Sequence, residues 1–131
     1  MKTFLITASI FGALAVVMGA FGAHGLKPLI SADSLEVYKT AVLYHFIHVF
    51  AMLATGILYL NSPQKLFRLA GIGFLVGIIL FSGSLYLLST RDATGLHNIS
   101  FLGPITPIGG LFFIVGWISL ALGIGKLRLN G

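Results

Sequence analysis

The chain contains no cysteine and very little charge. The missing cysteine excludes disulfides, iron–sulfur clusters, thiolate zinc sites and thiol nucleophiles. Only three of the 131 residues are acidic and eight are basic, so 8% are charged and 57% are hydrophobic. A soluble domain usually has about 25% charged residues. Since so few charges cannot cover a surface in water, the composition predicts that most of the surface faces lipid.

Four long runs without charge divide the sequence, at residues 4–23, 40–60, 69–90 and 101–125. A helix of about 20 residues spans a hydrocarbon core of about 30 Å. Backbone groups in lipid must pair within the segment, which requires helices. The runs therefore predict an all-α fold: a four-helix transmembrane bundle forming one membrane domain over residues 1–131, with both termini on the same side.

The first run has an alternative interpretation as a cleaved signal peptide. Lys2 would supply its basic start, and Ala20-Phe21-Gly22 resembles a small-residue cleavage site. The apolar stretch is longer than the hydrophobic region of a usual signal peptide. We therefore interpret it as the first membrane span.

The basic residues predict how the spans are oriented. One side of the membrane would carry five bases and no acid, and the other three bases with all three acids. The first set is Lys2, Lys65, Arg68, Lys126 and Arg128; the second is Lys27, Lys39 and Arg91, with Asp33, Glu36 and Asp92. Positive residues favour the cytoplasmic side, which predicts that both termini are cytoplasmic. The bases are scattered singly, which argues against nucleic acid as a partner.

Local signals predict where the helices begin and end. Asp33, with Glu36 three residues on, resembles a capping box, so the second helix is expected to begin near Ser34. Asn61-Ser62-Pro63 is expected to end it, and the short loop that follows predicts an antiparallel hairpin with the third span. Residues 91–100 are expected to form the third loop. Pro104 and Pro107 fall near the start of the fourth span, where a missing N–H costs least.

Small residues recur at helical spacing in three of the spans. They are Ala8, Gly12, Ala15, Gly19 and Ala23; Gly73 and Gly77; and Gly109, Gly116 and Gly123. Burial of leucine does not drive association in lipid, so close backbone approach and polar contacts must do so. The pattern predicts a tight bundle, a homo-oligomer or packing within a larger membrane complex.

Polar residues inside the spans are the candidate functional residues. Ala41, His45, His48, Met52 and Thr55 share one face of the second helix. The full candidate polar cluster is His24, Tyr44, His45, His48, Ser82, Ser84 and Tyr86. Two histidines three residues apart can hold a metal, ligate haem or carry protons. They can also simply form hydrogen bonds between helices, with Ser82, Ser84 or Tyr86 as partners, and the sequence favours this second interpretation.

Cofactor and enzyme signatures are missing from the sequence. No span contains Asp or Glu, which a divalent metal site or a proton-coupled transporter usually needs. The motifs H-E-x-x-H, G-x-S-x-G and the P-loop are also missing. Ser84 and His48 form a conceivable nucleophile–base pair, but four spans offer such pairs by chance. We therefore predict no catalytic residues, no metal and no cofactor.

Four stretches resemble a known family. They are residues 19–26 (GAFGAHGL), 40–45 (TAVLYH) with His48, 81–86 (FSGSLY), and 106–110 (TPIGG) with Gly116-Trp117. Together they resemble the YgdD/YwdK-like small integral membrane proteins, the domain of unknown function 423. The likeness covers nearly the whole chain and implies a multi-pass plasma membrane protein. It supplies no activity, although it implies a link to membrane integrity for some members.

We therefore predict a non-enzymatic multi-pass membrane protein that supports membrane integrity or packs within a membrane complex. One alternative is a cofactor-binding or proton-handling protein built around His48, His45 and His24. Another is a small-molecule transporter formed by dimerisation.

Overall fold

A computed structural model describes residues 1–127, and every regular element within them is helical. The helices are α1 (Lys2–His24), α2 (Ala32–Asn61), α3 (Lys65–Gly77), α4 (Gly83–Thr94) and α5 (Ile105–Gly125). A π-helical turn (Ile78–Ser82) joins α3 to α4, and a 3₁₀ turn (Ser100–Leu102) precedes α5. Arg128, which belonged to the charge count above, lies outside the described residues.

Four helical segments are long and apolar enough to cross a membrane: Lys2–His24, Ala32–Asn61, Lys65–Thr94 and Ser100–Gly125. Each contains one of the four uncharged runs. The all-α, four-span prediction is confirmed. The second segment reaches well beyond its run because the helix continues through polar residues at the membrane boundary.

The start of α2 differs from the prediction. The helix begins at Ala32, with Ser31 as its N-cap, and the Ser31 hydroxyl accepts the Ser34 N–H at 3.1 Å. The predicted capping box at Asp33 and Glu36 is therefore wrong. A serine side chain in extended backbone reaches the N–H three residues on without strain. Glu36 instead forms an ion pair with Lys39 at 2.8 Å.

The end of α4 also lies later than predicted. The helix continues to Thr94, inside the segment 91–100 that was expected to be a loop. Gly95 ends it with φ +73°, a left-handed conformation that glycine adopts at no steric cost. α2 ends at Asn61, where Asn61-Ser62-Pro63 was expected to end it, and α5 begins directly after Pro104.

The π turn was not predicted from the sequence. The Gly83 N–H bonds to the Ile78 carbonyl, five residues back, so one extra residue is inserted into the third span. Such an insertion rotates the helix that follows it, and π turns of this kind are frequent at functional sites. Here it sets the direction in which Ser84 and Tyr86 point from α4.

Helix packing places α2 and the third span in the centre. α1 packs on α2, and α5 packs on α3 and the π turn. Large side chains fill the centre, with Met52 of α2 meeting Phe67 and Phe74 of α3 in one buried cluster. α2 and α3 are joined by three residues and lie side by side, which confirms the predicted hairpin.

The glycine stripe of α5 is used inside the chain. A Cβ atom at Gly116 would lie 2.7 Å from the Phe74 ring, and one at Gly123 would lie 2.6 Å from the Phe67 ring. At Gly109 the obstacle is the backbone of Phe81 in the π turn. These close approaches confirm the tight bundle predicted from the small residues.

α1 is attached more loosely than the other spans. Its buried residues are Ala8, Ala15 and Gly22, spaced by seven, and a Cβ atom at Gly22 would collide with the Tyr38 ring of α2. Ala23 is exposed. The Tyr38 hydroxyl donates to the Met18 carbonyl at 2.5 Å. One narrow stripe and few polar contacts therefore hold α1 against α2.

Candidate functional site

The polar face of α2 points into the protein, as predicted. Ala41, His45, His48, Met52 and Thr55 are all buried, and the two histidines are 1% and 4% exposed. The face lies between α1 on one side and the third span with α5 on the other. The neighbours of each polar atom therefore decide what this face can do.

His48 has both ring nitrogens occupied. Its Nδ1 lies 2.7 Å from the Tyr44 carbonyl oxygen, and the Trp117 Nε1–H donates to its Nε2 at 3.1 Å. A carbonyl only accepts and an indole N–H only donates, so the ring is neutral with its proton on Nδ1. The Nε2 lone pair, which a metal or a proton would need, already receives the Trp117 hydrogen.

Aromatic rings surround the His48 imidazole. It stacks on the Phe113 ring at 3.5 Å between centroids and 7° between planes. The Phe74 and Trp117 rings lie at 5.7 and 6.0 Å. Neither Phe113 nor Trp117 was predicted from the sequence as a site residue. Their spacing of four residues was the signal in the sequence. It places the Phe113 ring and the Trp117 N–H donor on the same face of one helix, where both can contact a polar residue of another span.

His45 makes one hydrogen bond to the third span. Its Nδ1 lies 2.9 Å from the Tyr86 hydroxyl. Its Nε2 is buried and, among residues 1–127, has no hydrogen-bond partner. The Phe11 carbonyl of α1 approaches the ring without reaching hydrogen-bond geometry. His45 is therefore the less satisfied of the two histidines.

The serines of the candidate cluster form further bonds between helices. The Ser82 hydroxyl, in the π turn, donates to the Ala41 carbonyl of α2 at 2.8 Å. The Ser84 hydroxyl lies 2.6 Å from the Thr106 hydroxyl of α5. Ser84 and His48 thus hydrogen-bond to different partners, and the structure does not join them as a nucleophile–base pair.

The structure does not bring the whole candidate cluster together. His24 is exposed at the end of α1, away from the other residues. Tyr44 is 38% exposed and stacks on Phe81 at 4.6 Å. Within residues 1–127, no three His, Asp or Glu side chains are grouped so that they could hold a metal ion. The remaining polar residues form separate interhelical pairs rather than one site.

Comparison with known proteins identifies the family. Residues 18–110 match the family described as "Protein of unknown function (DUF423)". The chain belongs to this family. This range contains every residue of the candidate cluster, and Phe113 and Trp117 lie just beyond its end.

Relatives of nearly equal length share much of the sequence. A UPF0382 membrane protein of Staphylococcus saprophyticus is 42% identical over 97% of this chain and 100% of its own length. The UPF0382 membrane protein YwdK of Bacillus subtilis is 43% identical, covering 96% and 98%. A UPF0382 membrane protein of Haemophilus influenzae is 39% identical, covering 95% of both chains. No solved structure matches. These likenesses confirm the predicted resemblance and the membrane location.

Proposed function

We propose that this protein is a non-enzymatic structural component of the bacterial plasma membrane. It supports membrane integrity by packing with itself, with lipid or within a larger complex. The observation that carries this proposal is the occupation of both His48 nitrogens, by the Tyr44 carbonyl and the Trp117 indole. The buried His48 imidazole is thereby used to connect α2 to α5, which favours a structural role.

The other polar side chains at membrane depth support the same proposal. Ser82 bonds to α2, and Ser84 bonds to α5, so each joins the third span to a different neighbour. Hydrogen bonds between helices and close glycine contacts are the two ways of holding spans together in lipid. We also propose that both termini are cytoplasmic. Four spans return the chain to its starting side, and the larger number of basic residues on that side favours the cytoplasm.

Complementation of a deletion strain tests the structural role. The strain should show a lowered membrane potential, measured with a potential-sensitive dye, or a lowered stress tolerance. The wild-type gene should restore the lowered property. A glutamine keeps a donor and an acceptor but does not titrate. His45→Gln and His48→Gln should therefore restore the potential in proportion to the amount of folded protein. Two outcomes would refute the role: a deletion without phenotype, or a variant that is folded at wild-type level and does not rescue.

One observation favours a second candidate function, the binding of a cofactor or the handling of protons at His45. Its Nε2 is buried and has no partner among residues 1–127, and the Tyr86 hydroxyl bonds to the opposite nitrogen. An optical spectrum and metal analysis of gently purified protein test the cofactor version. Proton flux into vesicles tests the other version, with His45→Gln as the comparison. A colourless, metal-free protein without proton flux would leave only the structural role.

A further inference from the structure

A cavity of about 380 Å³ opens where α1 begins, α2 ends and α3 begins. Its walls are Met1, Phe4, Tyr59, Phe67, Arg68 and Ile72. The Phe4 ring fills the space beside Gly71, which closes the seam between α1 and α3 below the cavity. The cavity therefore lies at one end of the spans, at the boundary between hydrocarbon and headgroups.

Among residues 1–127, no counter-charge pairs with Arg68 in this cavity. It is exposed in the first turn of α3, and the one ion pair within residues 1–127 joins Lys39 to Glu36. All three acidic side chains of the chain, Asp33, Glu36 and Asp92, lie at the opposite ends of the helices. A helix rises about 1.5 Å per residue, so roughly 35 Å separates the two ends. No acidic side chain of the protein can reach Arg68.

The cavity is amphiphilic in the way that a lipid is. Arg68 and Tyr59, whose hydroxyl forms no hydrogen bond within residues 1–127, supply the side-chain donors of its lining. Phe4, Phe67 and Ile72 supply an apolar wall that continues toward the hydrocarbon. Guanidinium groups bind phosphate through paired N–H donors, and basic pockets between membrane helices bind anionic headgroups.

We propose that this cavity binds an anionic phospholipid, with the lipid phosphate against Arg68 and Tyr59 and an acyl chain along Phe4 and Ile72. The apolar wall is what selects a lipid over free phosphate. The site deepens the proposed structural role by naming a lipid partner, and it rests on that role only in placing the protein in a bilayer.

Lipid titration followed by native mass spectrometry of the full chain in detergent tests the site. Phosphatidylglycerol and phosphatidylcholine with identical acyl chains are compared. Both lipids offer the phosphate, but phosphatidylcholine also carries a quaternary ammonium, which the Arg68 guanidinium repels. The wild type should therefore prefer phosphatidylglycerol by about tenfold. Arg68→Gln should remove that preference, and Tyr59→Phe, which removes a donor to the phosphate of either lipid, should weaken the binding of both by about threefold.

Arg91→Gln is the matched control. Arg91 is the same residue type, is equally exposed, and lies at the other end of the same span, where Asp33 lines the neighbouring cavity. It should leave phosphatidylglycerol binding unchanged. Circular dichroism verifies that each variant keeps its helices, and Tyr59→Phe remains informative if Arg68→Gln does not fold.

Three results would overturn the proposal. Equal binding of the two lipids would show that the headgroup charge is not recognised. If Arg68→Gln and Arg91→Gln lost phosphatidylglycerol binding equally, the binding would depend on the overall charge of the protein and not on this cavity. Displacement of the lipid by inorganic phosphate in the millimolar range would identify a free-phosphate site instead. Each result leaves the structural role standing, because that role is tested by rescue of the deletion strain.

Discussion

At the scale of single residues, the hydrogen bonds of His48 determine its proton position. A carbonyl at Nδ1 and an indole N–H at Nε2 leave one neutral tautomer, with the proton on Nδ1. We expect ¹⁵N NMR of histidine-labelled protein in bilayers to show a protonated Nδ1 and an unprotonated Nε2 at neutral pH. Trp117→Phe should shift the Nε2 resonance most. A protonated Nε2 in the wild type would contradict the assigned geometry.

The Trp117–His48 hydrogen bond should also contribute measurably to stability. Interhelical hydrogen bonds in membranes contribute about 0.6 kcal/mol on average and up to about 1.7. We expect Trp117→Phe to lower the free energy of unfolding by about 1 kcal/mol or more, because the smaller phenyl ring loses the donor and part of the packing against Phe74. Reversible unfolding in mixed detergent, followed by circular dichroism, measures this. Ile118→Val, at a side chain 55% exposed to lipid, is the control and should change stability little.

The candidate residues were predicted unevenly from the sequence. Helical spacing placed His45 and His48 on a buried face, and the expected bonding of a histidine to Tyr86 is present. The spacing within one helix carries no information about which residue of another span lies opposite. The partner of His48 therefore came from α5, as Trp117, and not from Ser82, Ser84 or Tyr86.

At the scale of the helices, the contact between α5 and the π turn is the closest backbone approach. A Cβ atom at Gly109 would collide with backbone and Cβ atoms of Phe81, which cannot move aside as a flexible side chain can. We expect Gly109→Ala to lower the free energy of unfolding by about 1–3 kcal/mol, the usual cost of overpacking. The same unfolding measurement in mixed detergent tests it.

Gly125→Ala is the matched control for Gly109→Ala. Gly125 is in the same helix, and no atom of residues 1–127 lies within 4 Å of the position its Cβ would take. Alanine has a higher helix propensity than glycine, so stability should stay equal or rise slightly. If the two variants behaved alike, the close contact between α5 and the π turn would not be present in the membrane.

Two helix features were beyond the reach of sequence patterns. The N-cap at Ser31 competed with an equally good motif at Asp33 and Glu36, and only the chain path selects between them. The π turn depends on a single extra residue in an apolar segment. Its hydrogen bonds are internal to the backbone, so nearly any apolar side chain is compatible with it.

At the scale of the whole molecule, the orientation remains a prediction that labelling can test. The chain has no cysteine, so a single introduced cysteine is the only reactive thiol. Lys2→Cys lies at the start of α1, and Asn98→Cys lies in the loop between α4 and α5; both positions are exposed. With cytoplasmic termini, a membrane-impermeant maleimide should label Asn98→Cys in intact spheroplasts and Lys2→Cys only after lysis. The reverse pattern would invert the orientation, and equal labelling would indicate two orientations.

The sequence by itself determined that lipid surrounds most of this protein, and therefore that the protein is an all-α membrane protein. Uncharged runs of about 20 residues have one stable form in lipid, because each backbone donor must find an acceptor within its own segment. Tertiary structure alone decided which polar groups meet, such as Trp117 with His48 and Ser84 with Thr106, and which ones line a common cavity, such as Arg68 and Tyr59. The physical reason is that hydropathy acts on each span separately, whereas pairing depends on the rotation and depth of spans far apart in the chain.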